Sequence, residues 1–265
     1  MRFGCCVNMI ATGKDGTGIE FVEKLSKIGY DYVEMPLAEM MAMPEDEFTK
    51  LAERIEKSGI QCETCNNFFP KTARLTGSNV NETEIMDYVE RALARAHKLG
   101  VQYVVFGSGG AKNVPDGFPM EDGYRQVVKL LKKIDPIARK NNVTITIEPL
   151  RKPECNLINT FEEGCRLAKD VDCENIKVLV DFYHLSQEHE PVKNILDNGR
   201  EYLRHVHFAC DKGRVYPADI SEDNYRPFID ALKAVDYNGR VSIEAYSEDF
   251  DRQAPLALEF LKAYF

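Results

Sequence analysis

The chain has 265 residues, with 34 basic and 43 acidic side chains and a net charge of −9. With 44% hydrophobic and 10% aromatic residues it can bury a large core, which excludes a disordered chain. The acidic balance excludes a protein that grips a phosphate backbone through a basic face.

Short runs of β-branched and aromatic residues alternate with longer amphipathic stretches. The first predicted strand, Phe3–Val7, is followed by a helix with Phe21, Leu25 and Ile28 on one face. Strand Tyr32–Met35 precedes a helix marked by Phe48, Leu51 and Ile55. Strand Gln61–Asn66 precedes one marked by Val89, Leu93 and Ala96, and strand Tyr103–Phe106 one marked by Val127, Leu131 and Ile134. Strands Thr144–Glu148, Lys177–Asp181, His205–Phe208 and Val241–Glu244 complete the series. Gly29 and Gly100 stand where helices should stop. Asn81, Thr160 and Ser221 are predicted N-caps, the first two with an acid three residues on, Glu84 and Glu163.

Divided by eight, the length leaves about 33 residues per repeat, the size of one βα unit, and (β/α)8 barrels run to roughly 250 residues. No linker-like stretch interrupts the rhythm, so residues 1–265 are expected to form a single α/β (β/α)8 TIM barrel. A doubly wound sheet is the competing architecture.

The eight cysteines are scattered, and Cys62-x-x-Cys65 has no second pair at zinc-ribbon spacing. They read as buried thiols in a reducing compartment. The opening Met1-Arg2-Phe3-Gly4 does not resemble a secretory leader, and no apolar run approaches the ~20 residues of a membrane span. A soluble cytoplasmic protein with no membrane or nucleic-acid partner is expected, and a homo-oligomer is compatible with the sequence.

Side-chain alternation along the last four strands is the most informative pattern. In Thr144-Ile145-Thr146-Ile147-Glu148 the isoleucines share one face, and Thr144, Thr146 and Glu148 the other. Val178 and Val180 oppose Leu179 and Asp181. His205 and His207 oppose Val206 and Phe208, and Val241 and Ile243 oppose Ser242 and Glu244. The apolar faces fit beneath a ring of helices. The polar faces then point into the barrel, and each run delivers an ionisable group near its C-terminal end, where barrel active sites are built.

Three carboxylates gathered in a low dielectric repel and take up protons unless a cation holds them. Glu148, Asp181, His207 and Glu244 make a set of three oxygens and one nitrogen for one divalent metal ion, Mn2+ first, with Mg2+, Co2+ or Zn2+ as alternatives. A buried salt-bridge network is the competing explanation, and few inward Lys or Arg residues are expected to complete it.

Ile147-Glu148-Pro149-Leu150, Val180-Asp181-Phe182-Tyr183-His184, His205-Val206-His207 and Ser242-Ile243-Glu244 together resemble the sugar isomerase/epimerase superfamily of xylose-isomerase-like barrels. The resemblance spans the full chain and looks strongest to the ketose 3-epimerases, which bind one metal through Glu, Asp, His and Glu at these strand ends. It implies that Glu154, His184 and Arg214 contact the substrate. The interval from His207 to Arg214 is one residue longer than usual in ketose 3-epimerases and looks more like the hydroxypyruvate isomerases, which usually carry Gln in place of His207. Trp, which commonly walls the sugar in those epimerases, is absent here; Phe68, Phe69, Met9 and Phe208 are the candidates to replace it.

The resemblance implies an α-hydroxy carbonyl substrate, with Glu148 and Glu244 as acid and base on either side of a metal-stabilised enediolate. One glutamate removes a proton and the other returns one, giving epimerisation; a shuttle by one base gives aldose–ketose isomerisation. A metal-dependent lyase, a dehydratase or C-glycoside-cleaving enzyme, would use the same residues. A nucleic-acid class on this barrel, the endonuclease IV type, needs more histidines than the five present. A non-catalytic binding module would have no use for the paired glutamates.

Other features carry simpler readings. Gly107-Ser108-Gly109-Gly110 reads as a rim turn with no helix immediately after it, and a phosphate cradle is the minority alternative. Arg214, Lys212 and Arg151 are the basic residues available for a phosphate. Glu34, Asn66 and Asn67 end strands two and three, either touching substrate hydroxyls or supporting the ligand set. His205 is expected in a core hydrogen bond, His97 and His189 in solvent, and Met40, Met41 and Met43 in packing.

Overall fold

The computed structural model describes residues 1–265. Eight parallel strands close in the order β1-β2-β3-β4-β5-β6-β7-β8. They are β1 Arg2–Cys6, β2 Tyr32–Pro36, β3 Gln61–Asn66, β4 Tyr103–Phe106, β5 Thr144–Ile147, β6 Ile176–Asp181, β7 Leu203–Phe208 and β8 Arg240–Ile243. The helices are α1 Val22–Ile28, α2 Leu37–Ala42, α3 Glu45–Ser58, α4 Glu82–Lys98, α5 Gly109–Lys112, α6 Met120–Lys140, α7 Phe161–Val171, α8 Phe182–Gln187, α9 Lys193–Tyr202, α10 Tyr225–Ala234 and α11 Phe250–Tyr264. One main helix follows each strand, from the 7 residues of α1 to the 21 of α6. The short helices α2, α5 and α8 come directly after β2, β4 and β6, at the mouth of the barrel. No helix is long and apolar enough to cross a membrane.

The predicted alternation holds. Ile145, Ile147, Val178, Val180, Val206, Phe208, Val241 and Ile243 are all buried, and α7, packed on β6, is one of the helices covering this face. The interior is unusually polar for a barrel normally filled with branched apolar residues. At its floor Arg2 and Arg240 both pair with Glu63. Above them Tyr103 stacks on His205 across the barrel, with ring centroids 6.2 Å apart. Tyr32 bonds Ser242 at 2.8 Å, and a Cβ on Gly4 would collide with the Tyr32 ring.

Three strands end one residue earlier than expected: β1 stops at Cys6, where Val7 opens a 3-10 turn, and β5 and β8 stop just before Glu148 and Glu244. These two glutamates stay in the sheet. Their N–H groups still continue the ladder, donating to the carbonyls of Phe106 at 3.2 Å and Phe208 at 3.1 Å. The predicted caps hold at Asn81, which accepts from Glu84 N–H, and at Thr160, which forms a reciprocal capping box with Glu163. Ser221 is not a cap. Helix α10 starts at Tyr225, and the Ser221 hydroxyl turns back onto Asp219 at 2.6 Å, an Asx-type turn that competes with helix initiation. The Gly107 segment is also corrected, because α5 begins at Gly109. All eight cysteines are unpaired thiols.

The Thr160 box closes the start of α7, which packs directly on β6. Thr160→Ala should cost about 1 kcal/mol, a melting-temperature drop of about 2–4 °C for a chain of this size, measured by thermal denaturation.

Candidate active site

Register brings the strand ends to one level. Asp181 pairs with His207, and His207 with Ser242, the second residue before Glu244. One ligand atom from each of Glu148, Asp181, His207 and Glu244 lies within 4.8 Å of all the others, and all four residues are buried. Nδ1 of His207 is 2.9 Å from Glu148 and 3.3 Å from Glu244. Asp181 uses one oxygen to cap α8, accepting from Tyr183 N–H at 2.8 Å, which leaves the other facing the cluster.

Glu34, fully buried on β2, anchors this group from below. It accepts from His207 Nε2 at 3.0 Å, His205 Nε2 at 2.8 Å, Thr64 at 2.8 Å and Ser242 at 2.6 Å. Its role is therefore support of His207 and not contact with substrate. With Nε2 turned to Glu34, Nδ1 is the nitrogen that faces the carboxylates, the carboxylate–histidine arrangement that orients metal-binding imidazoles. Asn66 donates to Glu244 at 3.2 Å and to Asn8 at 2.8 Å.

The electrostatics follow from crowding. Burial, with Glu244 alongside, raises the Glu148 carboxyl above its ordinary range. Burial pushes Asp181 up to about 7, with Arg214 pulling the other way. Burial acts the same way on Glu244, but His207 and Arg214 outweigh it and hold that carboxyl low. For His207 burial favours the neutral ring, and the attraction of Glu244 and Glu34 reverses this, raising its pKa well above the usual value.

The expectation of few inward cations is corrected in two places. Arg214 reaches in from the loop after β7 and pairs with Glu244 and, at 3.3 Å, with Asp181. Its backbone is left-handed (φ 51°) and its guanidinium lies 4.8 Å over the Tyr183 ring. Lys112 is fully buried and donates to the backbone carbonyl of Glu148 at 2.8 Å. These charges leave the donor set chemically suited to a divalent cation: three oxygens and one imidazole, converging and dry.

A cavity of about 460 Å3 opens above the cluster. Glu154, His184 and Arg214 all line it with Glu148 and Glu244. Nδ1 of His184 accepts from Arg151 N–H at 3.3 Å, and its buried Nε2 has no hydrogen-bond partner. Glu154 holds Arg151 at 2.6 Å. Among the proposed replacements for Trp, Met9 and Phe69 line the cavity, whereas Phe68 and Phe208 are fully buried. Phe208 is enclosed by Tyr225, Phe228 and Phe260, because it lies on the helix-facing side of β7.

Gly107 and Gly109 serve close approach: a Cβ on Gly107 would strike the Glu148 carboxylate, and one on Gly109 the Glu154 backbone. Sequence reasoning missed Lys112 and Glu39, the latter a cavity residue on α2. Their signal was positional, since each lies in the first residues after a barrel strand, where rim groups arise. His205 is in the expected core hydrogen bond, and His97 and His189 are exposed.

A D-psicose 3-epimerase of Ruminiclostridium cellulolyticum is 24% identical over 241 residues, 85% of this chain and 77% of that one. The hydroxypyruvate isomerase of Escherichia coli is 27% identical over 166 residues, 62% of each chain. A solved structure of D-psicose 3-epimerase in the presence of D-fructose is similar in fold, with a TM-score of 0.87 at 20% identity, covering 100% of this chain and 99% of that one. The model of the xylose isomerase-like TIM barrel matches residues 22–264 and so takes in all four strand ends of the cluster: the chain belongs to that family.

Proposed function

We propose that the protein is a divalent-metal-dependent isomerase or epimerase of a ketose or related hydroxy-carbonyl sugar, with Glu148 and Glu244 as its acid/base pair. The observation that carries this reading is the pair of buried glutamates, brought by the non-adjacent strands β5 and β8 to within 2.9 and 3.3 Å of one imidazole nitrogen. The epimerase and isomerase names of the relatives support the same chemistry.

Glu148, Asp181, His207 and Glu244 are the residues that would hold the ion, with Mn2+ the first candidate. When bound, the ion supplies Lewis acidity toward the substrate carbonyl. Glu148 and Glu244 then divide the proton work, one taking the proton from the carbon beside the carbonyl and the other returning one. Delivery to the opposite face inverts that carbon. Return to the adjacent carbon by a single base interconverts ketose and aldose.

The surrounding groups orient the substrate. Because His184 Nδ1 accepts a backbone N–H, its proton sits on Nε2, which lies 3.5 Å from an Asp181 oxygen, makes no hydrogen bond there, and can donate to a substrate oxygen. Arg214 brings fixed positive charge toward oxygens that gain negative charge as the proton leaves. Glu154, steadied by Arg151, accepts from a substrate hydroxyl. Eight unpaired thiols fit a cytoplasmic enzyme.

Glu148→Gln and Glu244→Gln should each abolish exchange of substrate C–H for deuterium, followed by NMR in D2O with Mn2+-loaded protein and a broad panel of ketoses. Circular dichroism should show both variants folded. Absence of exchange with any sugar in the unmodified protein would overturn the reading. Removing metal with EDTA should stop exchange, and added Mn2+ should restore it.

Glu34→Gln keeps the size of the side chain but weakens its grip on His207 Nε2. Mn2+ affinity measured by calorimetry should fall by about 10–100-fold, the usual cost of losing an outer-shell partner.

A further inference from the structure

Helix α2 follows β2, which stands across the closed barrel from β6 and the Asp181 end of the cluster. It carries Glu39, whose side chain lines the cavity. The only side chain that donates to this carboxylate is Asn67, with Nδ2 at 3.2 and 3.4 Å from its two oxygens. Asn67 is itself held in place: its backbone is left-handed (φ 48°), and its carbonyl accepts from Ala38 N–H at 2.8 Å, tying the first turn of α2 to the end of β3. Burial pushes the Glu39 carboxyl up, and Asn67 and the more distant Lys71 offset part of that.

The cations around the cavity leave little for an anionic substituent. Arg214 is engaged by Asp181 and Glu244, and Arg151 by Glu154. Lys212 borders a separate surface pocket. Lys71 is the uncommitted cation at the cavity, and it is exposed. At the glycine turn, α5 has only four residues, the Ser108 hydroxyl accepts from Phe69 N–H at 2.9 Å, and Gly109 is packed against the Glu154 backbone. Phosphate sites instead converge arginines, lysines or the N-terminus of a full helix. A carboxylate with free lone pairs suits the opposite partner, a hydroxyl that donates.

We propose that Glu39, oriented by Asn67, is a specificity-determining residue that accepts a hydroxyl at the end of the sugar remote from Glu148 and Glu244, so that this end is unphosphorylated. This inference rests on the sugar isomerase or epimerase reading above. A substrate then spans the barrel mouth, with its reacting carbons over β5–β8 and its far hydroxyls against α2.

The test compares deuterium exchange on free ketoses and their terminal phosphates, D-fructose and D-fructose 6-phosphate among them, using Mn2+-loaded protein. A free ketose should exchange with kcat/KM about ten-fold or more above its phosphate. Glu39→Gln should raise KM for the free ketose by about ten-fold and leave kcat nearly unchanged, the pattern of lost uniform binding. Glu39→Lys should shift the preference toward the phosphate, a gain that a misfolded variant does not produce. Preference of the unmodified protein for the phosphate, or an unchanged KM in Glu39→Gln, overturns this inference and leaves the sugar-isomerase reading standing. Exchange on neither class overturns both.

Discussion

Three buried carboxylates within a few ångströms of one another set the terms for the rest of this molecule. Glu148, Asp181 and Glu244 are each more than nine-tenths buried, and their mutual repulsion in a low dielectric must be met by positive charge. The protein supplies His207 and Arg214 on the spot, and each has been constrained to serve. His207 is gripped from behind by Glu34, so its ring cannot turn away. Arg214 is held on a left-handed backbone, with Tyr246 N–H donating to its carbonyl at 2.8 Å. Both make sense for a site that must keep several anionic oxygens converging on one point.

That demand reaches down the barrel. Glu34 is itself a buried carboxylate, tolerated because two imidazoles and two hydroxyls donate to it, and those imidazoles overcome the effect of burial and hold its carboxyl low. Below it the interior continues as polar contacts down to Glu63 and its two arginines. A barrel filled with Val, Ile and Leu would be simpler to stabilise, whereas removing one partner from a satisfied polar network leaves a buried group unpaired. The column of hydrogen bonds gives His207 a rigid base, which fixes its distances to Glu148 and Glu244.

The fold and the four converging side chains were legible because period-two alternation is a local property. Thr144–Glu148 and Arg204–Phe208 declare their two faces without reference to any other part of the chain. Partnerships across the barrel are not local. Nothing around Glu34 announces that it meets a histidine 173 positions away. Lys112 reads as the end of a glycine-rich turn until its ammonium is seen beside the Glu148 carbonyl. Phe208 shows the converse: as an aromatic next to a ligand it looked available to the substrate, yet its own strand parity turns it toward the helices. Ser221 had the right residue type for a cap, but the nearby Asp219 took its hydroxyl first.

The short helices add walls to a cavity whose carboxylate cluster is built at the strand ends. The four-residue cluster comes from the ends of β5 to β8, with Glu34 of β2 beneath it and Arg214 in the loop after β7. Helices α2 and α5 follow β2 and β4, and add Glu39 and the Gly109–Gly110 wall to the opposite side of the cavity. Residues on those helices are free of the register that fixes Glu148 and Glu244. Gly107 marks the boundary: it stands at the end of β4, and its missing Cβ makes room for the Glu148 carboxylate. A side chain at Gly107 would therefore displace the Glu148 carboxylate, whereas a change on α2 alters the cavity wall and leaves the cluster in place. A barrel arranged this way can vary the wall of its cavity by substitution on α2 while the carboxylate cluster at the ends of β5 to β8 stays fixed.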